Sequence, residues 1–466
     1  MSVSQSNKRV DMLQGNLLRA IIAFAIPLIA SGVLQQSFNS IDVAVVGRFV
    51  SHRALGAVGS NGPVISLIIN LFVGISIGAN VVIANSIGRR DKAAVIRAVS
   101  STMLIAVVSG VLLLLLGLSV ASPILSAMGT PDDILDEAVT YLRIYAVGFP
   151  FMMIYNFGSA ILRATGDTRR PFYALVAGGI LNVILNLLLV LVFGLGVEGV
   201  AIGTVAANVL SAAIILVMLM RERSDVRLDW REVFTTRPSV RRILAIGVPA
   251  GVQGMVFSLS NVFIQSTINS FGSAAVAGSA AAINYEYYCY FVISAFAQAT
   301  VAFTGANYGA GQKTRCRKIF RTSMVLSFIS CGILNVTIVL LHHPAIEIFT
   351  TSSEVAEFAY KRLFYVLAFQ FIASSYEIAG ASLRGIGNSM TPMLLTIFGT
   401  CVLRLAWVFA VARGHGDFGV LLAIYPLSWA LTGAMVVIAY LRSARRHLVC
   451  QRHDVINYVK ERLPAL

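Results

Sequence analysis

The chain has 466 residues, 57% of them hydrophobic and 12% charged, with a formal net charge of +15 and a mean hydropathy of +0.80. A soluble globule cannot cover its surface with so few charges, so this composition sets aside soluble enzymes and points to a polytopic, all-α membrane protein. The positive balance then reads as basic loops facing the cytoplasm, not as a nucleic-acid footprint.

Residues 1–16 are polar. The apolar run 17–40 that follows has no small-x-small cleavage pattern after it and reads as a retained helix, not a removed signal. At about 20 apolar residues per crossing, further helices are expected near 55–84, 98–120, 138–161, 172–193 and 197–220. The stretch 221–242 is basic and polar, the one strong compositional break inside the chain. Six more runs follow at 243–268, 276–306, 320–341, 358–382, 393–412 and 418–441. The expected organisation is a six-helix lobe over 1–220, a cytoplasmic linker over 221–242, a second six-helix lobe over 243–442 and a cytoplasmic tail over 443–466.

Charge placement supports that reading. Segments 1–19, 87–97, 163–170, 221–242, 313–321, Arg384 and 442–462 hold 29 of the 36 Lys and Arg residues. Assigning them to one side puts both termini in the cytoplasm and requires an even number of spans. Arg48, Arg53, Arg143, Lys361, Arg362, Arg404 and Arg413 remain elsewhere.

The two halves repeat. Leu162-Arg163-Ala164-Thr165-Gly166 leading to Pro171 returns as Leu383-Arg384-Gly385-Ile386-Gly387 leading to Pro392, an offset of 221. Pro27 matches Pro249, Phe49 and Gly56 match Phe271 and Gly278, and Ala84-Asn85 matches Ala306-Asn307, all at an offset of 222. Six helices per half is an even number, so both halves enter the membrane from the same side. The repeat is therefore parallel, as in two-lobed transporters with a substrate site between the lobes. Pro27 and Pro249 can bend their helices. Arg163 and Arg384 are expected to cap carbonyls at cytoplasmic helix ends.

Few residues can carry chemistry. Asp42 lies near the outer end of helix one among apolar neighbours. A carboxylate there is costly unless it faces a polar cavity and has partners. One group that takes a proton on one side and yields it on the other is what a proton-coupled carrier needs; the plainer alternative is an interfacial salt contact with Arg48 or Arg53. Gln35 and Asn39 share a face of helix one, and Asn182 and Asn186 share a face of helix five. Asn156 and Thr204 add donors and acceptors, although a buried Asn can also be a simple helix–helix hydrogen bond. In the second half, Glu286 sits among Tyr285, Tyr287 and Tyr288, and Glu377 follows Tyr376. Aromatic faces attract organic cations, whereas the plainer reading is a tyrosine belt at the interface with a solvated Glu. Arg404, within an apolar run, is expected to have a structural partner, a carboxylate or a helix carbonyl. The five cysteines show no paired spacing, so neither a disulfide framework nor a zinc site is indicated. No nucleotide-binding P-loop or HExxH pattern occurs.

Taken with Ser40-Ile41-Asp42-Val43-Ala44-Val45-Val46-Gly47, Asn182-Val183-Ile184-Leu185-Asn186 and Gly199-Val200-Ala201-Ile202-Gly203-Thr204, the paired motifs make the chain resemble the multidrug and toxic compound extrusion (MATE) transporters from about Gly15 to Arg442. The resemblance implies twelve helices in two lobes around a central cleft. It also implies efflux of cationic or amphipathic organic compounds in exchange for H⁺ or Na⁺ by alternating access, without a prosthetic cofactor. Asp42, Asn182 and Thr204 fall where cation-site residues lie in family members. Asn186 departs from the pattern, since many members carry Asp there. Glu377 lies near an acidic position used in another branch. The expectation is a monomeric antiporter of the bacterial inner membrane, not an enzyme, surrounded by membrane lipid. Cation coupling is expected at Asp42, Asn182, Asn186, Thr204 and Asn156. Substrate contacts are expected from Gln35, Asn39, Glu286, Tyr287 and Glu377. The alternative, a flippase for a lipid-linked precursor on a related fold, would favour a strongly cationic central cavity, which the few intramembrane Arg and Lys argue against.

Overall fold

A computed structural model describes residues 9–232, 237–412 and 417–448; residues 233–236 of the predicted linker, 449–466 of the predicted tail and Arg413 lie outside the described residues. Among these, eleven helices are long and apolar enough to cross a membrane, and one bent pair makes a twelfth. The protein is an all-α, multi-pass membrane protein. The first lobe comprises α1 (Leu17–Phe49), α2 (His52–Gly88), α3 (Lys92–Ala127), α4 (Asp132–Val147 with Phe149–Ala164), α5 (Arg169–Val192) and α6 (Val197–Met220). The second comprises α7 (Arg237–Asn269), α8 (Ser273–Gly309), α9 (Lys313–Leu340), α10 (Ser353–Gly385), α11 (Met390–Ala410) and α12 (Phe418–His447).

Local chemistry sets the helix starts. The side chains of Asn16, Ser51 and Asp91 accept hydrogen bonds from the backbone N–H of Arg19, Ala54 and Ala94, satisfying donors that a helix leaves open. Several helices outrun their apolar cores. α3 begins at Lys92 rather than 98, and α9 at Lys313 rather than 320, because Lys and Arg end an apolar run without ending a helix. α1 continues to Phe49, so Asp42 lies almost two turns inside it. The predicted span 138–161 is not one straight helix: its two segments meet at 47° around Gly148, where Pro150 lacks the N–H needed to continue the first. The matching stretch of α10 tightens to a 3-10 helix at Leu367–Ala373.

The retained motif has a backbone explanation. Gly166 and Gly387 take φ of 86° and 94°, a left-handed conformation open to glycine at little cost. In both copies the same bonds close the turn. Gly166 N–H donates to Arg163 O at 3.0 Å and Asp167 N–H to Leu162 O at 3.2 Å; Gly387 donates to Arg384 O and Asn388 to Leu383 O, both at 2.9 Å. These are helix C-caps. The expectation that the Arg163 and Arg384 side chains do the capping is thus corrected, since backbone N–H groups fill that role.

The lobes meet along a seam that is tight at one end. Asn70 donates to Ser258 at 2.7 Å. Further along, Gly74 of α2 lies against Gly251 of α7, and Gly78 against Gly247, closer than any Cβ would permit. At the end carrying the described chain termini, Gly88 rests on the Ala306 carbonyl and Gly309 on the Asn85 carbonyl. Both pairs are offset by 221 (88 to 309, 85 to 306), so the contact is reciprocal about the repeat axis. Towards the opposite end, Gly59 and Gly62 have nothing within 4 Å of an added Cβ. The seam between the lobes is therefore shut at the terminus-bearing end. A strap before α1 crosses the shut end: Val10 N–H donates to Gly166 O at 3.1 Å, Asn307 donates to Met12 O at 2.8 Å and Arg315 to Gln14 O at 2.9 Å.

An ion-pair cluster anchors this strap to the first lobe. Glu222 accepts from Arg9 and, at 2.8 Å, from Arg170, which also holds Asp167 at 2.5 Å. Burial would raise the Glu222 carboxyl, but the Arg170 hydrogen bond and the Arg9 charge outweigh it and bring it down to about 2 from 4.5. The folded-state value is depressed, so the stabilisation is fully present above pH 4.5 and is lost as pH falls towards 2. Glu222→Gln is expected to cost about 1–3 kcal/mol of stability near neutral pH. The melting-temperature gap between wild type and variant is expected to stay constant from pH 8 to 5 and to close below pH 4; a gap that persists at pH 2 would contradict the assignment.

Candidate functional site

Asp42 is held by the first lobe through one continuous chain of hydrogen bonds. Thr204 donates to Val200 O within α6 at 3.0 Å and accepts from Asn182 at 3.3 Å. The Asn182 oxygen accepts from Asn186 Nδ2 at 3.4 Å, and the same Nδ2 donates to Asp42 Oδ1 at 2.5 Å. Asn182 and Asn186 are one turn apart on α5, so both amides project from one face towards α1 and α6. Asn186 is fully buried, and its Oδ1 has no partner. The salt contact of Asp42 with Arg48 or Arg53 is not what forms: Asp42 bonds Asn186, and Arg53 pairs with Asp133 at 3.8 Å.

Packing fixes this geometry. A Cβ on Gly203 of α6 would come within 2.1 Å of Asn186 Oδ1, so the glycine makes the room in which the amide sits. Beyond Asp42, Val45, Val46, Ala54, Tyr141, Val190, Val197, Val200 and Ala201 form an apolar plug. Tyr141 and Tyr145 of α4 stand near enough for the Asp42 charge to act on them. Sequence reasoning missed Gly203 and the two tyrosines. The short Gly199-x-x-x-Gly203 spacing, which lets membrane helices approach closely, was the available signal. We expect Gly203→Ala to displace the Asn186 amide, lowering transport several-fold while the protein stays folded; tryptophan-monitored melting alongside a transport assay checks this, and unaltered transport would count against the geometry.

The remaining predicted residues divide into cleft walls and bystanders. Gln35 and Asn39 are exposed and lie on the stripe of α1 that includes Gly32, which abuts Phe291 of α8. They therefore face the other lobe. Opposite them, Tyr287 stacks on Phe291 with ring centroids 6.4 Å apart. Asn156 stands apart from the Asp42 chain, its amide donating to Met152 O of its own helix at 2.9 Å. Glu377 is half-buried, near the Arg384 charge.

Glu286 needs a correction. It is neither a free substrate carboxylate nor a solvated one, because Arg362 binds both of its oxygens, at 2.6 and 3.1 Å, and Gln370 donates to its backbone carbonyl at 2.9 Å. Arg362, which the charge count leaves outside the basic cytoplasmic segments, is buried in α10. Arg404 is 1% exposed and lies over the rings of Tyr425, Phe257 and Trp429 at 4.4, 5.6 and 5.8 Å. Its partners are thus aromatic faces and the Ser428 hydroxyl at 3.0 Å, not the expected carboxylate or helix carbonyl. Among the described residues no three His, Cys, Asp or Glu side chains are grouped to hold a metal ion.

Comparison with known proteins agrees with this architecture. The MatE family profile matches twice, over residues 27–188 and 249–409, starts that differ by the same 222 residues as Pro27 and Pro249. The chain belongs to the MatE family. It is accordingly a membrane transporter and not an enzyme. It is 28% identical over 402 residues to the probable multidrug resistance protein YoeA of Bacillus subtilis (strain 168), covering 85% of this chain and 87% of that protein. It is 27% identical over 406 residues to the probable multidrug resistance protein NorM of Thermotoga maritima, covering 85% and 86%. A solved multidrug resistance MATE family transporter in its outward-facing conformation superposes with a TM-score of 0.88 at 23% identity, over 94% of this chain and 98% of that one.

Proposed function

We propose that this MatE protein is a proton-coupled exporter of cationic or amphipathic organic compounds, working by alternating access in a bacterial inner membrane with both termini cytoplasmic. The observation that carries the reading is the single acid, Asp42, at the end of a directed chain of neutral donors. As drawn, Asn186 offers its N–H to a carboxylate. Once Asp42 takes a proton, its hydroxyl needs an acceptor, and the unpartnered Asn186 Oδ1 is the adjacent one. Turning that amide exchanges the α1–α5 bond and loosens Asn186 from Asn182, giving an element with two arrangements that proton binding biases. Sodium is the weaker reading, because it demands several oxygen ligands and Asn186 turns nitrogen towards the acid.

The polar wall at Gln35 and Asn39 and the aromatic stack of Tyr287 on Phe291 suit a planar lipophilic cation between the lobes. In this reading the cytoplasmic end is the shut end of the cleft, and substrate leaves towards the outside. The two lobes, 1–220 and 243–442, move about the linker 221–242. The decisive experiment is ethidium transport in proteoliposomes with proton and sodium gradients imposed separately. Transport driven by the proton gradient alone supports the proposal; transport that follows only sodium, or neither gradient, overturns it.

A further inference from the structure

At the shut end of the cleft, beneath the strap, lies a cavity of about 300 Å³ with walls from Leu13 and Gln14 of the strap, Arg89 and Arg90 after α2, and Ala310 and Gln312 after α8. Both lobes and the strap therefore contribute to it. Arg90 is the one non-glycine residue with positive φ among the described residues, at 58°. Its repeat counterpart, offset by 221, is Gly311, with φ of 72°. The fold needs a left-handed residue here, and the second lobe uses the unstrained one. The first lobe carries an arginine instead, in a conformation that costs a side-chain-bearing residue stability. A strained residue of this kind persists where its side chain has a task.

The cavity wall carries two arginines and no acid. The neighbouring acids are engaged elsewhere: Asp91 caps Ala94 at 2.9 Å, Asp225 pairs with Lys92 at 3.9 Å, and Asp11 accepts from the backbone of Leu13 and Gln14 at 2.8 and 3.0 Å. Arg89 and Arg90 form no ion pair among the described residues, and Arg242, bonded to Asn85 at 3.4 Å, adds a third cation near Arg89. Asp11 and Asp91 keep their negative charge while bonded to backbone N–H groups, and the C-termini of α2 and α8 contribute about −0.5 each, but no acid stands in the cavity wall beside Arg89 and Arg90. Guanidinium groups bind phosphate oxygens in pairs, and Gln14 and Gln312 add amide donors.

We propose that this cavity binds a phosphate-bearing anion, which bridges the two lobes and holds the inner seam shut. Its halves sit on different lobes, so the ligand favours the closed seam and stabilises that form increasingly as its concentration rises above Kd. The binding claim stands apart from the transport reading and is tested without transport. The full-length protein is purified in an uncharged detergent and titrated with inorganic phosphate and pyrophosphate, with chloride at matched ionic strength as the control. In parallel it is reconstituted in nanodiscs of phosphatidylglycerol or phosphatidylcholine. The readouts are melting temperature and Kd by calorimetry. Wild type is expected to melt higher with phosphate compounds or with phosphatidylglycerol than with chloride or phosphatidylcholine. Arg90→Gly removes the charge and the backbone strain together, so it is expected to fold at least as well without ligand, yet to bind at least tenfold more weakly. Arg90→Lys is expected to retain most of the affinity, and Arg89→Gln with Arg90→Gly to abolish it. A response to dissolved phosphate identifies a soluble anion; a response only to phosphatidylglycerol identifies a lipid headgroup. No response to any phosphate probe, a response equalled by chloride, or one that survives the double variant would overturn the proposal.

Discussion

Asp42→Asn is expected to reduce proton-driven efflux to the level of protein-free vesicles while the protein folds and inserts normally. The two side chains are nearly isosteric, and the asparagine oxygen can accept the Asn186 N–H as the carboxylate does at 2.5 Å. The chain through Asn182 to Thr204 therefore persists. What disappears is the site at which a proton binds. An ion drives a conformational cycle only by binding one state more tightly than the other, and a side chain that does not titrate offers no such difference. Folding stability is expected to be unchanged or slightly higher, because a half-buried charge has been removed. Three measurements separate the possibilities: melting temperature, ethidium binding at equilibrium, and efflux under an imposed pH gradient. Retained binding with lost pH-driven efflux is the expected pattern. Full pH-driven efflux in the variant would remove Asp42 from the coupling mechanism.

The sequence made the architecture legible because duplication and apolar runs are properties of residue order. The 221–222 offset located both lobes, and it reappears in three-dimensional detail at the Gly166 and Gly387 turns and at the Gly88 and Gly309 seam. Asp42, Asn182, Asn186 and Thr204 were legible for a related reason: polar groups stand out in an apolar helix, and i, i+4 spacing gives the face they share. Asn156 looked equivalent by those criteria and is not, since its amide bonds back to Met152. Whether an Asn turns outward or bonds its own helix depends on its rotamer and neighbours, which spacing does not encode. The partner of Arg362 was not legible for a different reason. Arg362 stands beside Lys361 in the run 358–382, and spacing does not say which of two adjacent cations turns inward when successive helical residues point about 100° apart. Lys361 bonds Glu357 at the surface, and Arg362 turns inward to Glu286. Only the fold brings residues 76 positions apart into one pair.

That pair sets up the largest stability effect expected in the second lobe. Arg362→Ala leaves the Glu286 carboxylate buried without its two guanidinium bonds. Breaking such a pair from one side costs about 3–5 kcal/mol, because the remaining charge is uncompensated. Glu286→Gln is the complementary change, and it leaves an unpaired Arg362 only 5.5 Å from the Tyr425 ring, which already carries Arg404 at 4.4 Å. Two guanidinium groups would then share one aromatic ring with no acid between them. Each single variant is therefore expected to melt well below wild type. Arg362→Met combined with Glu286→Gln removes both charges, keeps most of the volume and is expected to recover the greater part of the loss. Melting curves of wild type, Arg362→Met, Glu286→Gln and the double variant form a double-mutant cycle. If the pair serves only to neutralise buried charge, the double variant also keeps transport near wild type. If the double variant is stable but transports poorly, the Glu286 carboxylate has a task in the cycle beyond holding α8 against α10. A double variant no more stable than the worse single one would contradict the ion-pair account, because the cost would then lie in packing and not in unpaired charge.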